Sequence, residues 1–368
     1  MKVTVLLLAS LLLARTGLPA QELGPGIVKA GNVSDLPIPL SGVQVYLLGE
    51  VHGAQENEEL LAQLVSRLGM DVGLRDVAIE EDGTYEFAAR RYVEHRSAEL
   101  PPELCLRRGI FDTLRQLNQG RAGDALFRVH LVDIDSPANA IRAHLLAIQA
   151  DIPGSREIRV PAASGIRNDG LAAVGALRRL ATDDVVLGQL RTIDHSIRAL
   201  QQGLQVGVGP PSGSPYLEDR EQAIASNMHD LVRSGRDRPV LAFYGIDHVA
   251  KRLRHDGGPN RDTDFAPLAM RLTHAGLRVF SIAAFPLSGA TRWRGREQDL
   301  PWSASDGSLA SGETLDRLLA AAAGARYLYV DSSRQTINLP SQDVSRSGVD
   351  AFVLFPRATP LKDGCFPR

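Results

Sequence analysis

The sequence predicts an α/β protein: a largely parallel central sheet flanked by helices, with a helical insertion or cap. Three observations predict it. Short apolar runs alternate with amphipathic runs from end to end of the chain, the pattern of repeated strand–helix units. The first of the apolar runs is nearly continuous, as in a strand buried on both faces of a sheet. Residues 152–215 then break the alternation, being rich in Arg, Gly and Pro, with two helical patterns and the low-complexity stretch GVGPPSGSP at 207–215.

The chain opens on residues 1–20, where Lys2 precedes an apolar stretch from Val3 to Leu13 and a Leu-Pro-Ala ending. That is the layout of a signal peptide. The stretch is far short of the roughly 20 residues that span a bilayer, and no later segment is longer, so no transmembrane segment is expected after cleavage. The expectation is export, to the periplasm or the medium, with residues 21–368 as one α/β domain.

The run at 43–53, VQVYLLGEVHG, is a central strand that hands over to a helix with Leu60, Leu61, Leu64, Val65 and Leu68 on one face. Gly49 and Gly53 fit a tight turn or a close backbone approach. Val77 to Ile79 is a short strand ending in Glu80, Glu81 and Asp82. Adjacent strand residues point to opposite faces, so at most one of Glu80 and Glu81 is expected to line a pocket, unless the strand has already ended there. Helices follow over Tyr85–His95 and Ile110–Leu117, then a strand over Leu126–Val132 that runs into Asp133, and a helix to Gln149. Within the insertion, helices are expected at Leu171–Leu180 and Val185–Leu200, their arginines forming a solvated surface.

After it, Tyr216–Val232 is an amphipathic helix that leads into the strand of PVLAFYGIDH, where Gly245 and His248 repeat the layout of Gly49 and His52. A helix at Ala266–Ala275 and strands at Leu277–Ala284, Tyr327–Val330 and Ala351–Phe355 complete the pattern. Tyr46 and Tyr244 lie within strands and are expected in the core.

Charge and composition exclude some classes. Without residues 1–20, which hold Lys2 and Arg15 but no acid, 39 Lys and Arg face 43 Asp and Glu, a net charge of about −4. With aromatics at 5%, this offers no nucleic-acid surface. The two cysteines, Cys105 and Cys365, suit a disulfide in an exported chain; two buried thiols are the alternative.

Strand ends at the carboxyl edge of an open α/β sheet are where ligands bind. Glu50, His52, Glu56, Glu80, Glu81 and His248 gather there, with Arg220 and Glu221 on the preceding helix. Two imidazoles among carboxylates suit two roles. One is a divalent metal (zinc, manganese or iron), for which His52, His248, Glu80 and Glu81 are candidate ligands. The other is metal-free hydrolysis, in which a carboxylate orients His52 as general base and Arg220 or His248 stabilises the oxyanion. Neighbouring Glu58 and Glu59 are expected to be solvated helix residues or favourable charges in a first turn. The chain carries no H-E-x-x-H, C-x-x-C, G-x-S-x-G or phosphate-loop signature.

Taken in order, LLGEVHG, AIEED, REQAIASNM, FYGIDH, PLAMRL, GLRVFSIA and DAFVLFPRATP resemble the superfamily of erythromycin esterases, ChaN-like haem-binding proteins and TraB/Tiki proteins. The resemblance covers most of 43–360 but rests on short motifs. It implies an α/β fold whose site holds Glu50, His52, Glu80 or Glu81, and His248, with Arg220 by analogy with the esterases' Arg-Asp helix. The chain departs from the esterases in having one residue fewer in the first motif and Arg220-Glu221 in place of Arg-Asp. The Tiki branch implies a metal-dependent protease, and the ChaN branch implies haem. The expectation is an exported hydrolase of ester or amide bonds in a small-molecule or peptide substrate; the alternative is a haem- or iron-binding protein.

Overall fold

The computed structural model describes residues 22–24, 26–134, 137–201, 216–235, 237–256, 263–293, 296–300, 312–334 and 348–362. The expected signal peptide, the 207–215 stretch and Cys365, with its expected pairing to Cys105, lie outside the described residues.

The strands in chain order are β1 (Glu22–Gly24), β2 (Ile27–Ala30), β3 (Val45–Glu50), β4 (Asp76–Asp82), β5 (Arg128–Asp133), β6 (Val240–Gly245), β7 (Arg254–Asp256), β8 (Thr263–Phe265), β9 (Val279–Pro286), β10 (Gly289–Trp293), β11 (Arg296–Leu300), β12 (Tyr327–Asp331) and β13 (Ala351–Phe355). The helices are α1 (Gln55–Asp71), α2 (Glu86–Val93), α3 (Arg108–Leu117), α4 (Ala138–Asp151), α5 (Ile166–Leu180), α6 (Asp184–Gln201), α7 (Tyr216–Ser234), α8 (Leu268–His274) and α9 (Gly312–Ala322). The main sheet runs β1-β2-β12-β13-β9-β3-β6-β4-β5, and β7–β8 and β10–β11 are separate hairpins. From β13 to β5 every pairing is parallel; β12 is antiparallel to both β13 and β2. The class is therefore the expected one, with an antiparallel margin.

The central strands read as apolar runs because both of their faces are covered. All six residues of β3 and all six of β6 are buried. Tyr46 and Leu48 enter one core cluster with the apolar faces of α1 and α3, whereas Val45 and Leu47 enter a second with α7 and α8. A third cluster joins Ile141, Leu145 and Ile148 of α4 to Val174 and Leu177 of α5 and Leu190, Ile193 and Ile197 of α6. The helices beyond Asp151 thus bury an apolar stripe of their own, consistent with their 3.6-residue spacing. No described helix is long and apolar enough to cross a membrane.

Strand order sets the site. The chain leaves β5, runs through α4–α7, and returns in β6 to the slot between β3 and β4. Glu50 at the end of β3 pairs in register with Gly245 at the end of β6. The two Gly-x-x-His segments, far apart in sequence, therefore leave the sheet side by side. Their glycines permit it. A Cβ at Gly49 would lie 2.6 Å from the Val249 methyls, and Gly53, at φ +89°, has the Arg292 carbonyl oxygen 2.3 Å from where a Cβ would sit.

Candidate functional site

The first half of the site is an imidazole standing on a buried carboxylate. His52 Nδ1 lies 2.9 Å from Glu50 Oε1, and their side chains are 31% and 1% exposed. An ionised carboxylate only accepts, so Nδ1 carries the proton and donates it to Glu50. That tautomer leaves Nε2 as the basic nitrogen. It faces Gly245 and Glu80: His52 Nε2 and Glu80 Oε2 come within 3.1 and 3.2 Å of the point a Cβ at Gly245 would occupy.

Glu50 is held ionised by a guanidinium that the sequence reading missed. Arg107 precedes α3, is 1% exposed, and bonds Glu50 Oε1 through Nη1. Its Nη2 lies 3.2 Å from His52 Nδ1, its Nε 3.4 Å from Glu81 Oε1, and its guanidinium carbon 5.3 Å from the centroid of the Phe243 ring. Burial pushes the Glu50 carboxyl up, but Arg107 and His52 outweigh it and hold the pKa below its ordinary value. Glu81 goes the other way. Burial, which Arg107 opposes and the charges of Glu80 and Asp133 reinforce, pushes it up to about 7. Glu58 is also pushed up to about 7, by burial that Arg107 opposes and Glu50 and Asp112 reinforce.

The second half is an imidazole between two carboxylates. His248 Nε2 lies 3.1 Å from Glu80 Oε1, and Nδ1 lies 2.5 Å from Glu221 Oε1. Burial favours the neutral ring, but Glu221 and Glu80 overcome it and raise the pKa well above 6.5. His248 is thus an imidazolium at neutral pH. Glu80 also takes the Gly245 N–H at 2.5 Å and Arg220 Nη2 at 2.8 Å. Burial raises its pKa, yet His248 first and then Arg220 and His52 bring it well below the carboxylate range. Arg220 forks onto Asp133, with Nε 2.9 Å from Oδ1 and Nη2 on Oδ2. Tyr244, 0% exposed, packs its ring 5.3 Å from that of His248.

Glu50, His52, Glu80, Glu81, Arg220, Glu221 and His248 accordingly meet at one sheet edge. This geometry decides three expectations. Glu56 stays outside, because α1 begins only at Gln55 and the Glu56 carboxylate accepts the Thr359 N–H at 2.8 Å. Both Glu80 and Glu81 join the site, the outcome allowed for if the strand's regular pairing ends early: β4 loses its register with β5 after Ile79 and its pairing with β6 stops there. Strict alternation no longer applies beyond that point. Glu58 stands in the first turn of α1 but is no solvated residue; one oxygen of its carboxyl is buried without a hydrogen-bond partner.

Asp133 carried the same signal as Glu80, an acid closing an apolar run, and Glu221 falls on the buried stripe of α7 with Ile224, Ala225 and Met228. Arg107 carried none. It closes a short 3₁₀ turn over Pro102–Arg107, with nothing in the sequence to distinguish it from Arg108 beside it.

Of the candidate ligands, His248 and Glu80 offer a metal or haem no open donor atom as they are arranged. Both His248 nitrogens face carboxylates, Glu80 is held by Arg220 and a backbone N–H, and Tyr46 donates its hydroxyl to the Pro39 carbonyl. Among the described residues no three His, Cys, Asp or Glu side chains form a group that could hold a metal ion.

No family model matches this chain, and no curated protein does. Solved structures do. A Bacillus cereus protein superposes with a TM-score of 0.63 at 14% identity, over 92% of this chain and 96% of its own. The erythromycin esterase EreC, a His-to-Asn mutant in its open conformation, gives 0.60 at 13%, over 88% and 93%. A succinoglycan biosynthesis protein gives 0.61 at 13%, over 87% and 89%. The chain has the fold of erythromycin esterase-like proteins.

Proposed function

We propose that the protein is an exported hydrolase of ester or amide bonds in which His52 is the general base. The observation that carries this reading is the pair His52–Glu50: a solvent-accessible imidazole whose Nδ1 is fixed on a carboxylate that Arg107 keeps ionised. Nε2 then removes a proton from water as it attacks the carbonyl carbon, and the Glu50 charge stabilises the imidazolium that forms. Glu81 is the proton donor. At 19% side-chain exposure and with a pKa near 7, it is an acid poised to protonate the leaving oxygen or nitrogen as the tetrahedral intermediate collapses.

The other charges position this pair. The His248 imidazolium and Arg220 hold Glu80, whose second oxygen takes the Gly245 N–H and fixes the wall beside His52 Nε2. Neither cation is the oxyanion donor in this reading, since each is already bonded to carboxylates. The shared fold with an erythromycin esterase supports hydrolysis as the class. The test is hydrolysis of a panel of nitrophenyl esters, lactones and peptide amides by the purified chain. Turnover by the wild type, falling roughly 10²–10⁴-fold in His52→Asn with the fold retained, is expected. Wild-type rates in His52→Asn would refute the assignment.

A further inference from the structure

A cavity of about 540 Å³ opens beside β5, the edge strand of the sheet. None of its lining residues belongs to the constellation around His52 and His248. Its walls carry five guanidiniums: Arg90 of α2, Arg128 of β5, Arg191 of α6, Arg233 of α7, and Arg238. Four carboxylates share the lining, Asp76, Glu86, Asp124 and Asp230, and three of them are committed to cations. Asp76 accepts Arg128 Nε at 2.9 Å and Nη2 at 2.8 Å, and it lies 2.9 Å from His130 Nε2. Glu86 accepts the Leu131 N–H at 3.1 Å and lies 3.6 Å from His130 Nδ1 and 3.9 Å from Arg90. Asp230 lies 2.9 Å from Arg191 Nε.

His130, flanked by two carboxylates, is held in its charged form although burial opposes it. Positive charge is therefore in surplus, five arginines and an imidazolium against four acids. Arg238 is bonded to the Asp124 carbonyl rather than to a carboxylate, at 3.2 Å. Among these charges the lining also holds a neutral amide, that of Gln189.

We infer that this cavity is a second binding site, for a small molecule carrying phosphate or carboxylate groups. Arg233 and Arg238 bind the oxyanion, and the Gln189 amide bonds a neutral part of the same ligand. The volume is within the range of small-molecule sites and exceeds what one inorganic ion fills.

The test is calorimetric titration of the whole chain, at low salt, with pyrophosphate and separately with citrate, which distinguishes a phosphate from a carboxylate ligand. One saturable site is expected for at least one of them. It weakens roughly tenfold or more in Arg233→Gln/Arg238→Gln, since each charge-assisted bond to an oxyanion is a strong one. It is unchanged in His52→Asn and in the control Arg156→Gln/Arg159→Gln, whose exposed arginines lie between α4 and α5, outside the cavity lining. Both double variants alter exposed or half-exposed side chains, and circular dichroism confirms their folding. The inference is overturned if neither anion binds saturably, if Arg233→Gln/Arg238→Gln binds as the wild type does, or if His52→Asn or the control loses binding equally.

Discussion

Replacing Glu81 by Gln should make the protein more stable at alkaline pH, although it removes a partner of Arg107. The unfolded carboxyl gives up its proton near its ordinary value of 4.5, whereas the folded one holds it to about 7. Between those values the native state binds the additional proton, so the free energy of unfolding falls as pH rises through the window and levels off above it. A displacement of about 2.5 units at about 1.36 kcal/mol each makes the ionised carboxyl a burden of roughly 3 kcal/mol at pH 8. The amide in Glu81→Gln cannot ionise and carries no such burden. The assay is urea unfolding of both proteins at pH 5, 6, 7 and 8. Glu58 titrates over the same range but is present in both, so it cancels in the difference. The variant's advantage should grow by roughly 2.5 kcal/mol from pH 5 to 8. A difference that is flat with pH, or that grows in favour of the wild type, would show that Glu81 does not keep its proton in the folded state.

Two further predictions follow from single contacts. Arg107→Gln leaves Glu50, 1% exposed, as a buried charge without its guanidinium, and should destabilise the fold by roughly 3–5 kcal/mol in chemical denaturation. Gly245→Ala places a methyl 3.1 Å from His52 Nε2 and 3.2 Å from Glu80 Oε2. The backbone there, at φ −56°, tolerates alanine, so kcat should fall while unfolding shifts by no more than about 1–2 kcal/mol.

Much of the fold was legible because its central strands are buried on both faces. The runs at β3, β6, β9 and β13 could be read directly from their apolar residues. The short pieces β1 and β2, the hairpins β7–β8 and β10–β11, and the helix α9 were not; the strands among them are short or exposed and their pairing is decided by distant partners. The duplicated Gly-x-x-His edges were legible as a site, and strand order explains why they meet. What the sequence could not show was which groups neutralise which. The fate of Glu80 and Glu81 depends on a register break two residues long, and Arg107 comes from a connecting segment whose path is set by tertiary packing. Opposite shifts in adjacent residues, Glu80 down and Glu81 up, arise because burial raises both and the cations outweigh it only at Glu80.

Whether His52 and Glu50 work as one base is decided most directly by a double-mutant cycle. Values of kcat/KM would be measured, on the best ester of the panel, for wild type, His52→Asn, Glu50→Gln and the double variant. If Glu50 acts only through His52, its removal after His52 is gone should cause almost no further loss, so the double variant matches His52→Asn. Losses that simply add would contradict the pairing and give Glu50 a role of its own.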